Sequence, residues 1–573
     1  MEFIELAKIF EEIEGKSGRL EMTDLLASMF KKTKPEEAEK VAYLLQGQLA
    51  PPYAGLNLGL GERFAIEAIS HSTGYSKDAV EKKYKELGDL GRTAEELLKA
   101  KKQMALFAKP LDVLYVYTSL VKIAKATGQG SQEAKIKLLV ELLNNSKPLE
   151  ARYIVRIVLG RLRLGVGDPT ILDGLSVALF GTKEKREEIE RAYNLCSDLG
   201  YVVRTAMEDY NKIKKFTIQP FKPLRPALAE RLASAQEIIE KIGRCAVERK
   251  YDGFRMQCHK KDDRVEIYSR RLDVMTHMFP DVVDAVKKLK AKEIIFEGEA
   301  LAFNKKKNRF YSFQETMHRR RKYGIEKASE EFPLYVFVFD LLYLNGEDYT
   351  TKPYTERRKA IERIFPFGIL QVAESIEASD GNELERYFQD SIEKGLEGII
   401  AKDLNAQYIA GKRKFAWIKL KKSYGKAVDT VDAVIVGYYL GKGARAEFEF
   451  GGLLVAVRNE DTGKLETIAK IGSGYTEEEM RMLKEMLDEI KTKEPPEDLV
   501  YKIKPDFWVE PRYVIEVAFD EITESPLHTA GLHGEKGYAL RFPRMVRMRG
   551  DKAPDEATTT KEIEEMFELQ KKR

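Results

Sequence analysis

The chain changes its apolar period once, and that change constrains its fold more than any other feature. Through residue 218, apolar residues recur at three- and four-residue spacing, as at Ile154, Val158 and Leu162. This is the stripe of an amphipathic helix. From about residue 244 the period falls to two. Phe254, Met256 and Cys258 alternate with Arg255, Gln257 and His259, as in a half-buried strand. The polar turn Lys261-Asp262-Asp263-Arg264 and the alternating run Val265-Glu266-Ile267-Tyr268 complete an expected hairpin. Between the two regimes lies Gln219-Pro220-Phe221-Lys222-Pro223, where prolines block helix continuation and mark a joint.

A second joint falls near Lys422-Ser423-Tyr424-Gly425. Beyond it, VDAVIVGYYLG and GGLLVAVRNEDTGKLETIAKIGSG read as strands, with Asp461-Thr462-Gly463 as a turn. Short strands so closely spaced suggest a small barrel of OB type. LYVFVFDLLYL, residues 334–344, reads as a strand buried on both faces. Thr560 to Arg573 reads as a charged helix. The expected architecture is a multi-domain α and α+β protein: an all-α unit over 1–218, an α+β unit over 219–424, and an OB-fold β-barrel with a C-terminal helix over 425–573.

Composition removes several function classes. The three cysteines, Cys196, Cys245 and Cys258, form no CxxC pair, which excludes a disulfide framework and a four-cysteine zinc site. A reducing, cytoplasmic setting is expected. No run of eighteen apolar residues predicts a membrane span. The opening MEFIELAKIFEEIEG reads as an acidic amphipathic helix rather than a signal peptide. Charge is segregated: residues 1–100 carry 14 basic and 18 acidic side chains, and residues 101–166 carry 12 and 4. A basic stripe is one footprint of a nucleic-acid binder, and a solvated helix face gives the same tally.

The stretch VERKYDGFRMQ, residues 247–257, carries the chemistry. An exposed lysine is a poor nucleophile at neutral pH. Burial and neighbouring cations, Arg249 and Arg255 among them, would favour a neutral Lys250 able to attack the α-phosphorus of a nucleotide. Gly253 would let the backbone pass close to a ligand. Asp252-Gly253 is equally a common surface turn. Further along, Trp417, Lys419 and Lys421 share one face of an alternating run, where cations could neutralise a phosphate. Glu297 and Glu299 also share a face, so spacing cannot say which of them would hold a metal.

Lys-x-Asp-Gly-x-Arg resembles the first signature of the covalent nucleotidyltransferases: DNA ligases, RNA ligases and mRNA capping enzymes. Five further stretches follow in the family's order: Tyr268-Ser269-Arg270-Arg271, Phe296-Glu297-Gly298-Glu299-Ala300, Val338-Phe339-Asp340-Leu341-Leu342, Leu396-Glu397-Gly398-Ile399-Ile400-Ala401-Lys402 and Trp417-Ile418-Lys419-Leu420-Lys421. One short motif arises by chance, whereas six in order do not. RFPRMVRMRGDKAPDEATT, residues 541–559, resembles the last signature of ATP-dependent DNA ligases. The helical region, with Leu159-Gly160-Arg161-Leu162-Arg163-Leu164-Gly165-Val166-Gly167, resembles the DNA-binding domain of the archaeal and eukaryotic replicative type.

That resemblance implies roles. Lys250 would form the bond to AMP. Glu248 would contact adenine and Phe339 would stack on it. Arg255 and Arg270 would hold the ribose and the reacting DNA end. Arg413, within Lys412-Arg413-Lys414, would contact the nucleotide, as would Lys402, with Lys419 and Lys421 at its phosphate. Glu299 and Glu397 would bind Mg²⁺, with Mn²⁺ as the alternative. Because Glu397 and Lys402 have opposite parity in a regular strand, the backbone must turn irregularly near Gly398. Arg549, Asp551 and Lys552 would orient pyrophosphate, and Arg161 and Arg163 would grip DNA phosphates. The implied enzyme is an ATP-dependent DNA ligase that seals nicked duplex DNA in replication, repair and recombination. It would act as a monomer, with a sliding clamp open as a partner. The alternatives are an RNA ligase or capping-type enzyme, or a catalytically silent nucleic-acid clamp.

Overall fold

The computed structural model describes residues 1–571 except 17, 57, 59, 101–109, 129, 161, 163, 233, 305–308, 312–314, 317, 320, 322–323, 422–428 and 442–448. Arg161 and Arg163, and the expected second joint at Lys422-Ser423-Tyr424-Gly425, therefore lie outside the described residues. Among those described, helices follow one another from Phe3–Glu14 to Tyr210–Lys214, and the first strand begins at Leu228. Asp89, Asp112 and Asp198 open their helices by accepting a backbone N–H at the N-terminus. The helix Pro148–Val158 ends before Leu162, so Leu162 is buried but does not extend the stripe of Ile154 and Val158.

Two arginines of the basic segment point inward. Arg152 meets Glu14 at 2.6 Å and Glu11 at 3.2 Å, and Arg156 meets Asp89 at 2.9 Å. Buried charges persist only when paired, and these tie three helices together. They are core residues rather than part of a nucleic-acid stripe.

Among its described residues the middle region holds twelve strands: β1 (Leu228–Arg231), β2 (Cys245–Lys250), β3 (Phe254–Lys261), β4 (Arg264–Ser269), β5 (Glu293–Asn304), β6 (Arg309–Phe310), β7 (Leu334–Leu344), β8 (Glu347–Asp348), β9 (Leu370–Val372), β10 (Ser375–Ala378), β11 (Gly398–Asp403) and β12 (Arg413–Lys421). One sheet runs β1-β12-β11-β2-β10. It buries Val247, Ile399, Ala401 and Ile418 against Ile238 and Leu384 of two helices. The other runs β4-β3-β5-β7-β8, with β6 on β5 and β9 on β7, and packs Val282 and Ile361 of two more helices behind it. The expected hairpin is β3–β4, paired from Met256↔Ser269 to Lys261↔Arg264. β7 is not buried on both faces: Val336 and Val338 are buried, while Tyr335, Phe337 and Phe339 between them are partly open.

β3 departs from the half-buried expectation in the other direction, because Gln257 and His259 are buried too. The chain leaving the helical unit lies across them. Phe221 N–H donates to His259 Nδ1 (2.9 Å), Leu224 N–H donates to Gln257 Oε1 (2.9 Å), and the Arg255 guanidinium donates to the Ala227 carbonyl (3.0 Å). Every second side chain of the strand thus holds every third residue of the linker. On its other side Arg225 donates to Asp168 (2.6 Å) and Ser197 Oγ donates to the Pro223 carbonyl (2.7 Å). One apolar core consequently runs from the helices through Leu224 and Ala227 to Tyr408 and Trp417 of the middle unit.

The C-terminal region is rich in strands and has cores of its own. Its central strand Asp429–Tyr439 pairs with Gly452–Arg458 and Val514–Phe519, and Val514–Phe519 pairs with Arg544–Met548. The helix Thr560–Lys571 packs its Ile563, Met566 and Phe567 into that core.

Candidate active site

The two middle sheets face each other across a cleft of about 1140 Å³, which residues of the helical and C-terminal units also line. β2 brings Glu248 and Lys250 to it, β3 brings Arg255, β5 brings Glu299, β7 brings Phe339, β11 brings Lys402, and β12 brings Arg413, Trp417, Lys419 and Lys421. Residues from Glu248 to Lys421 meet because each occupies the cleft-facing parity of its strand.

The register explains the centre. Gly398 lies opposite Lys250 on one side and Lys421 on the other. Glu397, one residue before it, therefore places its carboxylate between two amines. It pairs with Lys250 and, at 2.5 Å, with Lys421. Burial alone would raise the Glu397 carboxyl, and the charges of Lys250 and Lys421 outweigh it and hold the group well below the usual range. Gly398 makes the turn with φ +151°, and a Cβ there would meet the Leu420 carbonyl oxygen at 2.1 Å. This is the irregularity that the opposite parity of Glu397 and Lys402 demands.

One expectation about Lys250 fails. The Arg249 guanidinium pairs with Glu374 (2.6 Å) and Asp390 (2.6 Å), so it does not crowd the lysine. Gly253 lines the cleft, and β5 also requires a glycine there, since a Cβ would sit 2.3 Å from the Ala300 carbonyl oxygen.

Glu297 and Glu299 are separated by their partners. Glu297 is fully buried; it accepts from Arg255 (2.6 and 3.1 Å), from Gln257 (3.2 Å) and from the Tyr408 hydroxyl (2.8 Å). Glu299 has no hydrogen bond or ion pair among the described residues. Burial pushes it up to about 7, opposed by Lys250 and Arg255. Among the described residues no three His, Cys, Asp or Glu side chains form a self-sufficient metal cage. Magnesium needs none, because one or two carboxylates suffice when substrate phosphates and water complete its shell. An unengaged oxygen donor at Glu299, with Glu397 close by, fits that requirement.

Phe339, Trp417 and Tyr408 make an aromatic wall, with ring centroids 5.9 Å apart in each neighbouring pair. Lys402 lies beside it rather than with the other lysines. It donates to Glu248 (2.8 Å) and to the Phe339 carbonyl (2.8 Å). Lys419 is pushed down to about 7 by burial and by Arg413, Lys421 and Lys552, against the pull of Glu562.

The C-terminal unit closes over the cleft. Arg270 reaches Glu556 (2.7 Å), Arg547 reaches Asp252 (3.1 Å), and Glu562 of the last helix pairs with Arg413 and approaches Lys419 at 3.8 Å. Arg549 and Lys552 instead pair with Asp432 of their own unit, and Arg549 also holds Asp551 (2.7 Å). The sequence reading missed Arg547, Asp432, Glu556, Glu562 and Tyr354. Arg547 and Glu556 stood inside a quoted motif, and Asp432 and Glu562 inside stretches read only as a strand and a helix; Tyr354 carried no signal before the units were brought together.

A lysine paired with a carboxylate, ringed by cations and flanked by an aromatic wall, is the layout of an enzyme that handles a nucleotide phosphate. Residues 2–176 match the family model described as DNA ligase N terminus, residues 226–421 the ATP dependent DNA ligase domain, and residues 446–552 the ATP dependent DNA ligase C terminal region. A protein of Dictyoglomus turgidum described as a probable DNA ligase is 47% identical over 578 residues, covering 100% of this chain and 98% of that one. The DNA ligase of Staphylothermus marinus is 46% identical over 595 residues and covers 100% of both chains. Among solved structures, mycobacterial DNA ligase D complexed with ATP and MES aligns with 58% of this chain and 98% of its own, at 26% identity and a TM-score of 0.36. The chain belongs to the ATP-dependent DNA ligases, enzymes that form phosphodiester bonds.

Proposed function

We propose that this chain seals nicks in double-stranded DNA through a lysine-bound AMP. Lys250 attacks the α-phosphorus of ATP, an N–P bond forms with loss of the amine proton, and pyrophosphate leaves. The AMP passes to the 5′-phosphate at a nick, where it becomes the leaving group. The 3′-hydroxyl then attacks that phosphate, and AMP departs as the strand closes. The observation that carries this reading is the Lys250–Glu397–Lys421 contact at the foot of a cleft walled by Phe339 and Trp417.

In this reading Glu248, Phe339 and Lys402 hold the adenine. Arg255 and Arg270 serve the ribose and the DNA end. Arg413, Lys419 and Lys421 neutralise the phosphate. Glu299 and Glu397 would hold Mg²⁺, which when bound withdraws charge from the phosphate oxygens. Arg549, Asp551 and Lys552 act on pyrophosphate once Arg549 and Lys552 are released from Asp432. The units are read as 1–218, 219–424 and 425–573, the last with an OB-type barrel. Arg161 and Arg163 of the first would grip DNA phosphates. The enzyme would work as a cytoplasmic monomer.

The test is intact mass and peptide mapping after incubation with Mg²⁺ and ATP. One AMP on Lys250 is expected, and Lys250→Arg should carry none and seal no nick. A Lys250→Arg protein that still gains AMP would overturn the reading.

A further inference from the structure

Glu248 lies two residues before Lys250 on the same face of β2 and lines the cleft, yet both its carboxylate oxygens already have donors. One accepts from Lys402 at 2.8 Å. The other accepts from the Tyr354 hydroxyl at 2.6 Å, with the Arg358 guanidinium 3.9 Å away and itself donating to the Ala373 carbonyl. Tyr354 opens the helix Tyr354–Ile364, is 2% exposed, and does not line the cleft. No motif of the sequence singles it out. Its hydroxyl reaches Glu248 from behind, and a carboxylate can only accept, so the direction of that bond is fixed.

The geometry assigns Tyr354 as a positioning residue for base selection: its hydroxyl holds the Glu248 carboxylate as a fixed acceptor that favours an amino-bearing purine over an oxo-bearing one. This rests on the reading above that AMP is the group received by Lys250. An adenine edge offers an amino group to such an acceptor, whereas guanine at the same place offers a carbonyl oxygen. Two acceptors facing each other in a buried site are left unpaired, which is how a polar site rejects a near-isostere. The rejection holds only while the carboxylate cannot rotate aside. Lys402 restrains one oxygen and Tyr354 the other.

The test is competition between ATP and GTP for Lys250, read as the AMP-to-GMP ratio on the intact protein. Tyr354→Phe keeps the ring and removes only the hydroxyl. It should lower the preference for ATP about tenfold, the worth of one hydrogen bond to a charged group, with the loss in KM for ATP rather than in the rate at saturation. Combined with Glu248→Gln, it should add nothing to the loss that Glu248→Gln causes alone, because both act through one carboxylate. An unchanged preference in Tyr354→Phe, or losses that simply add, would overturn the assignment. A parent enzyme that takes GMP as readily as AMP would instead overturn the base reading itself, and the assignment with it.

Discussion

Within one strand, two carboxylates two residues apart have opposite duties. Glu297 is consumed by Arg255, Gln257 and Tyr408; the Glu299 side chain has no hydrogen bond or ion pair among the described residues and feels Lys250 and Arg255 only through their charge. Glu297→Gln should leave a buried guanidinium without its counter-charge, which costs about 3–5 kcal/mol and lowers Tm by on the order of 10 °C. Glu299→Gln should leave Tm unlowered in the absence of Mg²⁺ and remove the metal dependence of AMP transfer. Thermal melts and adduct formation on both variants separate the two. His259 gives a pH signature. Burial holds it down at about 3 against an ordinary 6.5, and its bare Nδ1 accepts the Phe221 N–H. Between those values the unfolded chain binds the proton and the folded one does not. Its contribution is therefore intact above about 6.5 and is lost as pH falls toward 3. Unfolding of His259→Asn, followed over that range, should be flatter than that of the parent. Much of the site was legible at this scale, since the motifs name Lys250, Glu397, Lys402 and Lys419, and the clash of parity between Glu397 and Lys402 points to the turn at Gly398. Parity also puts Arg249 on the opposite face, a signal present in the sequence but read there as a neighbour in space. Spacing left Glu297 and Glu299 alike and only the resemblance chose Glu299, because what occupies Glu297 includes Tyr408, 111 residues away.

Among the elements, the last helix has two faces at work. Ile563, Met566 and Phe567 anchor it in the C-terminal core, while Glu562 sits against Arg413 and Lys419, the cations proposed above for a phosphate. Arg413 and Lys419 hold the Glu562 carboxyl down to about 2 against its burial, so it is charged at neutral pH. It competes with any anion arriving at those cations. Glu562→Gln should raise affinity for nicked DNA several-fold by freeing them, a shift of about 1 kcal/mol in the closed state. Titration of a labelled nicked duplex checks it, and unchanged affinity would show that the contact does not compete. Deleting the helix is a poorer test, because it strips the core as well. The helix itself was legible from its charged, periodic sequence. Its destination was not, because Arg413 lies 149 residues from Glu562 and only tertiary packing joins them.

For the molecule as a whole, the joints differ in kind. The helical and middle units share an apolar core, whereas the C-terminal unit meets the middle one through ion pairs such as Arg270–Glu556 and Arg547–Asp252. Its contacts with the helical unit include Arg19 to the Asp461 carbonyl (2.9 Å) and Arg156 to Glu497 (3.9 Å). Screening weakens such contacts and strengthens none of them. Raising salt from 0.1 to about 1 M should increase the radius of gyration by swinging out the C-terminal unit, while the first two stay together. Small-angle scattering on the full chain, with a Glu562→Gln variant already expanded at low salt, reads this directly. The linker between the first two units behaves unlike a tether. Its Phe221, Leu224 and Ala227 meet His259, Gln257 and Arg255 in a three-against-two match, and such a match has no slack. One residue inserted between Phe221 and Leu224 would put the whole series out of step, including Arg255, which lines the cleft. The segment works as a measuring rule, and its length, more than its composition, is what the enzyme cannot vary.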